Sequence, residues 1–172
     1  MEIFDVLHAE HLQLLENLEA LSEADGPERQ MLLETVADEL SAHTVAEDEV
    51  LYDRLGTTTE MRPLILEAKQ EHHVAGLLLQ ELLELDDDDE RFGGKVKVLR
   101  ELIEHHIQEE EDEMFDEARH FIGEAAESLA GEFLSAKDRI AGLTALERLI
   151  AADEKNEHKQ LPQADVGEAA SP

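Results

Sequence analysis

The sequence predicts an all-α protein: an antiparallel up-down four-helix bundle, followed by an extra C-terminal helix and a disordered tail. Composition is 42% hydrophobic but only 3% aromatic, with 9 Gly and 4 Pro, which is the profile of helices rather than sheets. Apolar residues recur at alternating steps of three and four over long stretches. The chain also repeats itself. His43, Glu47 and Tyr52 correspond to His106, Glu110 and Phe115 at a constant offset of 63 residues, and His11 corresponds to His72 at an offset of 61. One pair of helices is thus followed by a similar pair, which gives a bundle an approximate two-fold axis.

The first helix should run from about Glu2 to Ser22. It ends before Asp25-Gly26-Pro27, where Asp25 can cap the next helix and Pro27 suits its first turn. The second runs from about Glu28 to Leu55 and stops at Gly56. Thr57 and Glu60 offer a capping box for the third, which extends to about Leu85. The acidic run Asp86 to Glu90 connects it to the fourth helix, from about Glu90 to Phe121. That run has neither the glycine nor the later Glu of a calcium loop, so it reads as a solvated cap. A fifth helix is expected over about 124–141 and a short sixth over 143–152. The organisation is therefore a bundle domain over 1–122, a helical extension over 123–152 and a flexible tail over 153–172.

The 172 residues include 44 acidic and 14 basic side chains, a formal net charge of −30. Such a field repels nucleic acid and anionic membranes, so neither is an expected partner. The acids are spread along the chain and only 6 lysines are present, a pattern suited to a salt-rich cytoplasm, where screening relieves self-repulsion. With no cysteine there are no disulfides, thiolate metal sites or cysteine nucleophiles, and any metal must take N and O ligands. No segment approaches the ~20 apolar residues of a membrane span, and the N-terminus lacks the basic and apolar regions of a leader. The expected location is the cytoplasm.

The seams of the four helices carry the chemistry. The second reads Leu33, Val36, Leu40, His43, Glu47, Val50, and the fourth reads Val96, Leu99, Ile103, His106, Glu110, then Met114 or Glu113. Both His-x3-Glu pairs thus replace core positions and face inward. The first seam (Phe4, Leu7, His11, Leu14 or Leu15, Leu18) selects His11, and the third (Ile65, Ala68, His72, Ala75, Leu79) selects His72. His73 and His105 fall on flanking lines, and His120 and His158 read as solvated. Each seam histidine stands about 14 to 16 residues from its turn at ~1.5 Å per residue, so all four imidazoles land near one layer. Burying two unpaired carboxylates costs several kcal/mol, and no Lys or Arg lies on these seams to compensate. A metal centre satisfies four imidazoles and two carboxylates in one layer, whereas a set of hydrogen-bonded core residues does not.

His11, His43-x3-Glu47-Asp48-x2-Leu51-Tyr52, Glu71-His72-His73 and His106-x3-Glu110-Glu111-x2-Met114-Phe115 together resemble the pattern of a hemerythrin-type (HHE) cation-binding domain. The resemblance covers about residues 1–122. It implies a hemerythrin-like bundle around a non-haem di-iron centre with an oxo or hydroxo bridge. His11, His43, His72 and His106 would be terminal ligands, and Glu47 and Glu110 would bridge. Zinc or manganese would suit the same donors. A ferritin-like di-iron protein would need Glu-x-x-His on two helices, and only Glu117 to His120 has that spacing. Oxygen-carrying members of the hemerythrin family have a fifth histidine one turn after the third-helix ligand, where this chain has Gly76; His8 or His73 could substitute.

The expected function is binding or sensing of O2, NO or peroxide, or handling of iron, at this centre. Two alternatives are a peroxide-consuming, catalase-like di-iron enzyme and a metal-free helical interaction protein. Tyr52 and Phe115 read as core fillers rather than redox relays.

Overall fold

The computed structural model describes residues 1–86 and 88–158, with side chains described as far as 155. Its helices are α1 (Ile3–Glu23), α2 (Gly26–Glu47), α3 (Asp53–Leu55), α4 (Arg62–Leu83), α5 (Phe92–Glu109), α6 (Phe115–Ile122), α7 (Ala126–Ile140) and α8 (Ala145–His158). Two π-helical turns, Asp48–Tyr52 and Glu110–Met114, join α2 to α3 and α5 to α6, so each of these runs is one long helix with a widened turn inside it. The long helices α1, α2, α4 and α5 form the antiparallel bundle. Each packs against its two ring neighbours, α1 with α2 and α5, and α4 with α2 and α5.

Helix ends differ from expectation in detail. Asp25 stands at the start of α2, but its carboxylate bonds Arg29 rather than a backbone N–H of the first turn. The Thr57–Glu60 box does not form; Thr58 Oγ instead accepts from the Met61 N–H, and α4 starts at Arg62 with Pro63 in its first turn. Gly123, with φ of 54°, adopts the left-handed backbone that ends α6 and releases the chain into α7. Helix α8 continues to His158, six residues beyond its expected end at 152. The rest of the expected tail, 159–172, lies outside the described residues.

The core is split. One apolar cluster contains Phe4, Leu7, Leu51, Tyr52, Ile65, Phe115 and Phe133, and the other contains Leu18, Val36, Leu40, Leu79, Leu99 and Ile103. The layer between them holds His11, His43, His72 and His106, because each seam exchanges apolar for polar residues at that height and resumes afterwards. Helix α7 covers the α1–α2 face and α8 packs on α2 and α4. Arg148, 5% exposed, ties α8 down by donating to Asp38 O at 3.1 Å and Ser41 Oγ at 3.2 Å on α2. Among the described residues no helix is long and apolar enough to cross a membrane.

Candidate metal centre

All six predicted residues are buried and converge: His11 1%, His43 4%, Glu47 0%, His72 7%, His106 3% and Glu110 0% exposed. The imidazoles form two pairs. His11 Nε2 and His43 Nε2 are 3.3 Å apart, and His72 Nε2 and His106 Nε2 are 3.0 Å apart. Between the pairs lie the carboxylates. Glu47 Oε2 is 3.4 Å from His43 Nε2 and 3.6 Å from His72 Nε2, while Glu110 Oε2 is 3.4 Å from His11 Nε2 and 3.6 Å from His106 Nε2. Each carboxylate therefore reaches one nitrogen of either pair, as the internal repeat requires.

This arrangement fits a pair of cations. Imidazole nitrogens bind divalent metals at about 2.0–2.1 Å, so two on one ion at a right angle stand about 3.0 Å apart. Both oxygens of Glu47 and Oε2 of Glu110 are buried with no hydrogen-bond partner, a costly arrangement that cations would relieve. Two groups of donors close enough to share an ion, His11-His43-Glu47 and Glu47-His72-His106, have Glu47 in common.

Electrostatics of the metal-free site follow from burial and crowding. Burial, with His43 alongside, lowers His11 to a pKa of about 4. Burial acts the same way on His43, but Glu47 and Glu10 outweigh it and raise His43 to about 10. In the second pair burial lowers His72, whereas Glu110 and Glu71 overcome burial and raise His106. Burial and the neighbouring Glu47 push Glu110 upward, and Glu47 is held down against burial by the charge on His43.

Every outward ring nitrogen is also held. His11 Nδ1 donates to Glu111 at 2.8 Å, His43 Nδ1 to Glu10 at 3.0 Å, His72 Nδ1 to Asp48 at 3.0 Å and His106 Nδ1 to Glu71 at 2.8 Å. Such carboxylates fix the tautomer, leaving Nε2 free to bind, and orient the ring. Sequence reasoning gave none of the four this role, although Asp48, Glu71 and Glu111 stand in the quoted motifs. The signal was present, since each acid directly adjoins a seam residue and the repeat relates Glu10 to Glu71 and Asp48 to Glu111.

The remaining histidines stay outside. His8 is 55% exposed and bonds Glu111 at 2.8 Å; His73 is 40% exposed and bonds Asp153 at 2.9 Å. His105 is 60% exposed, and His120 lies on the surface against Phe121. The side chain of His158 is not among those described. Gly76 faces α8, where Leu149 Cδ2 would lie 3.1 Å from an added Cβ. Tyr52 is a core residue, fully buried, and also part of the centre: its hydroxyl donates to Glu110 and its ring stacks on His72 at 5.3 Å. Phe115 is a core residue that stacks on His11 at 6.1 Å.

Residues 1–118 match the hemerythrin HHE cation-binding domain. The chain belongs to that family, and it is a metal-binding helical bundle. In three dimensions it is similar to an HHE cation-binding domain-containing protein from Mycobacterium kansasii, with a TM-score of 0.68 at 22% identity over 88% of this chain and 99% of the other. It is also similar to a DNA nickase of Nostoc sp., 28% identical over 148 residues, or 81% of this chain. The chain spans only 40% of the length of that relative.

Proposed function

We propose that His11, His43, His72 and His106 are terminal ligands and Glu47 and Glu110 shared ligands of two iron ions, and that the loaded centre binds or senses O2, NO or peroxide. The observation that carries this reading is the pair of buried carboxylates, with oxygens free of hydrogen bonds, held between two pairs of inward nitrogens. When bound, iron would supply redox chemistry and coordination positions for a small ligand.

The chain's own residues do the rest. Four outer carboxylates hold the rings, two apolar clusters keep water from both sides of the layer, and Tyr52 offers a hydroxyl proton beside Glu110. Gly76 adds no fifth imidazole, which favours ligand exchange over simple oxygen carriage. A peroxide-consuming activity is the second reading, and the buried Tyr52 hydroxyl at the shared carboxylate favours it. DNA nicking, named for the Nostoc relative, is not carried over: a formal net charge of −30 opposes a phosphate backbone.

Metal analysis of protein purified from its own host, then optical spectra with and without peroxide or NO, tests the proposal. Two irons per chain are expected, with a ligand-sensitive absorption band lost in both His43→Ala and His106→Ala. Protein that holds no iron and retains its properties in those variants would overturn it. Release of O2 on adding peroxide would select the second reading.

A further inference from the structure

The two halves of the bundle repeat, but their surroundings do not. Glu10 and Glu71 are equivalent positions, each immediately before a seam histidine and each accepting from the ring of the other helix in its half, His43 and His106. Behind Glu71 stands His105 of the bundle itself, with Nε2 at 4.0 Å. Behind Glu10 stands Lys137 of α7, with Nζ at 2.6 Å from Oε1, while Oε2 holds His43 at 3.0 Å. Phe133, one turn earlier on α7 and fully buried, meets the His43 ring edge to face at 5.9 Å, and Lys137 Nζ lies 5.7 Å from the Phe133 ring. Helix α7 lies entirely outside the residues that match the family.

We infer that α7 is a component of the metal centre, and that Lys137 is a positioning residue which clamps Glu10 and through it His43, so that a helix outside the bundle tunes how firmly the His11–His43 ion position is held. The inference rests on the two-ion reading above. The physical basis is a chain of fixed groups. A carboxylate with one oxygen on an ammonium and the other on an imidazole N–H has both rotational freedoms removed, so the ring it holds is preorganised for its ligand. Glu10 and Lys137 are each 24% exposed, which limits the competing water. In the second pair the bundle supplies its own clamp: Lys69 of α4 lies 3.4 Å from Asp48 Oδ2, while Asp48 Oδ1 holds His72 at 3.0 Å.

The test is release of ferrous iron from the full-length loaded protein to an excess of a coloured chelator without oxygen, followed ion by ion. Wild type should release two ions in two phases. Glu10→Gln should speed one phase about tenfold, as loss of an outer partner does, and Lys137→Met should speed the same phase about threefold while leaving the other unchanged. In Glu10→Gln/Lys137→Met the second change should add nothing, because the clamp acts only through Glu10. Lys97→Met, which alters net charge equally on an exposed face, should leave both phases alone. If Lys137→Met fails to fold, Lys137→Gln carries the same test. Unchanged release in the Lys137 variants, equal acceleration of both phases, or additive effects in the double variant would overturn the inference alone. Uptake of fewer than two ions by wild type would overturn the two-ion reading and this inference with it.

Discussion

Tyr52 and Glu110, 58 residues apart in sequence, meet through a hydrogen bond at the centre of the bundle, with the phenol donating to the carboxylate. Burial and the neighbouring carboxylates of Glu110, Glu47 and Asp48 hold the Tyr52 hydroxyl well above its ordinary pKa, so it remains a donor throughout the working pH range. Tyr52→Phe should keep the stack on His72 and lose only the hydroxyl. The expected cost is about 1–3 kcal/mol of stability, together with a shifted absorption band in the iron-loaded protein. An unchanged band and unchanged response to peroxide would mean that the hydroxyl serves packing alone.

Removing the metal should weaken the fold, because Glu47 and Glu110 then sit buried without cations. At a ligand excess of about a thousand times Kd, binding stabilises by about 4 kcal/mol, which corresponds to a Tm rise of roughly 8–16 °C for a chain of this size. Calorimetry of chelator-treated and reloaded samples measures it. Equal melting temperatures would contradict a cation at this layer.

Loading should also release protons. In the metal-free site His43, raised to about 10, keeps its second ring proton at neutral pH, and His106 and Glu110 are shifted in the same direction. A raised pKa means the proton is lost only as pH climbs through it, so metal competes with protons and affinity increases with pH across the neutral range. Titration calorimetry in buffers of different ionisation enthalpy counts the protons. Binding with no buffer dependence would refute this assignment of charge.

Gly76 and Leu149 should be energetically coupled. Gly76→His would drive a ring into the space Leu149 fills, at an overpacking cost of about 1–3 kcal/mol. Combining it with Leu149→Ala should recover part of that cost relative to the sum of the single changes, as urea unfolding in a double-mutant cycle would show. Strict additivity would place the two residues out of contact.

Salt should stabilise the protein. With a formal net charge of −30, self-repulsion is screened as ionic strength rises from about 0.1 M to about 1 M, and Tm should climb over that range. A flat or falling Tm in potassium chloride would remove the salt-rich setting as the reason for the acidity.

The amphipathic seams made the helices and the inward direction of His11, His43, Glu47, His72, His106 and Glu110 legible, because core-facing polar residues stand out against Leu and Val. The outer acids were harder to see: among 44 acidic residues, Glu10, Asp48, Glu71 and Glu111 look like any solvated face, and only their place beside the seam residues in both repeats sets them apart. Lys137 was hidden because its role depends on where α7 docks, a tertiary fact without local signal. The π turns were hidden as well, since propensity does not distinguish them from an ordinary helix.

Those wide turns have a geometric consequence. In an unbroken α-helix, residues five apart point about 140° away from each other, so a chain that aims Glu47 inward would aim Tyr52 toward the flank, and likewise Glu110 and Phe115. A turn closed from i to i+5 places them one above the other. Deleting a single residue between Glu47 and Tyr52, or between Glu110 and Phe115, would restore regular winding and leave the two four apart and still on one face. The slack coil, more than any side chain, lets one rod serve both as a scaffold for donors and as a wall behind them.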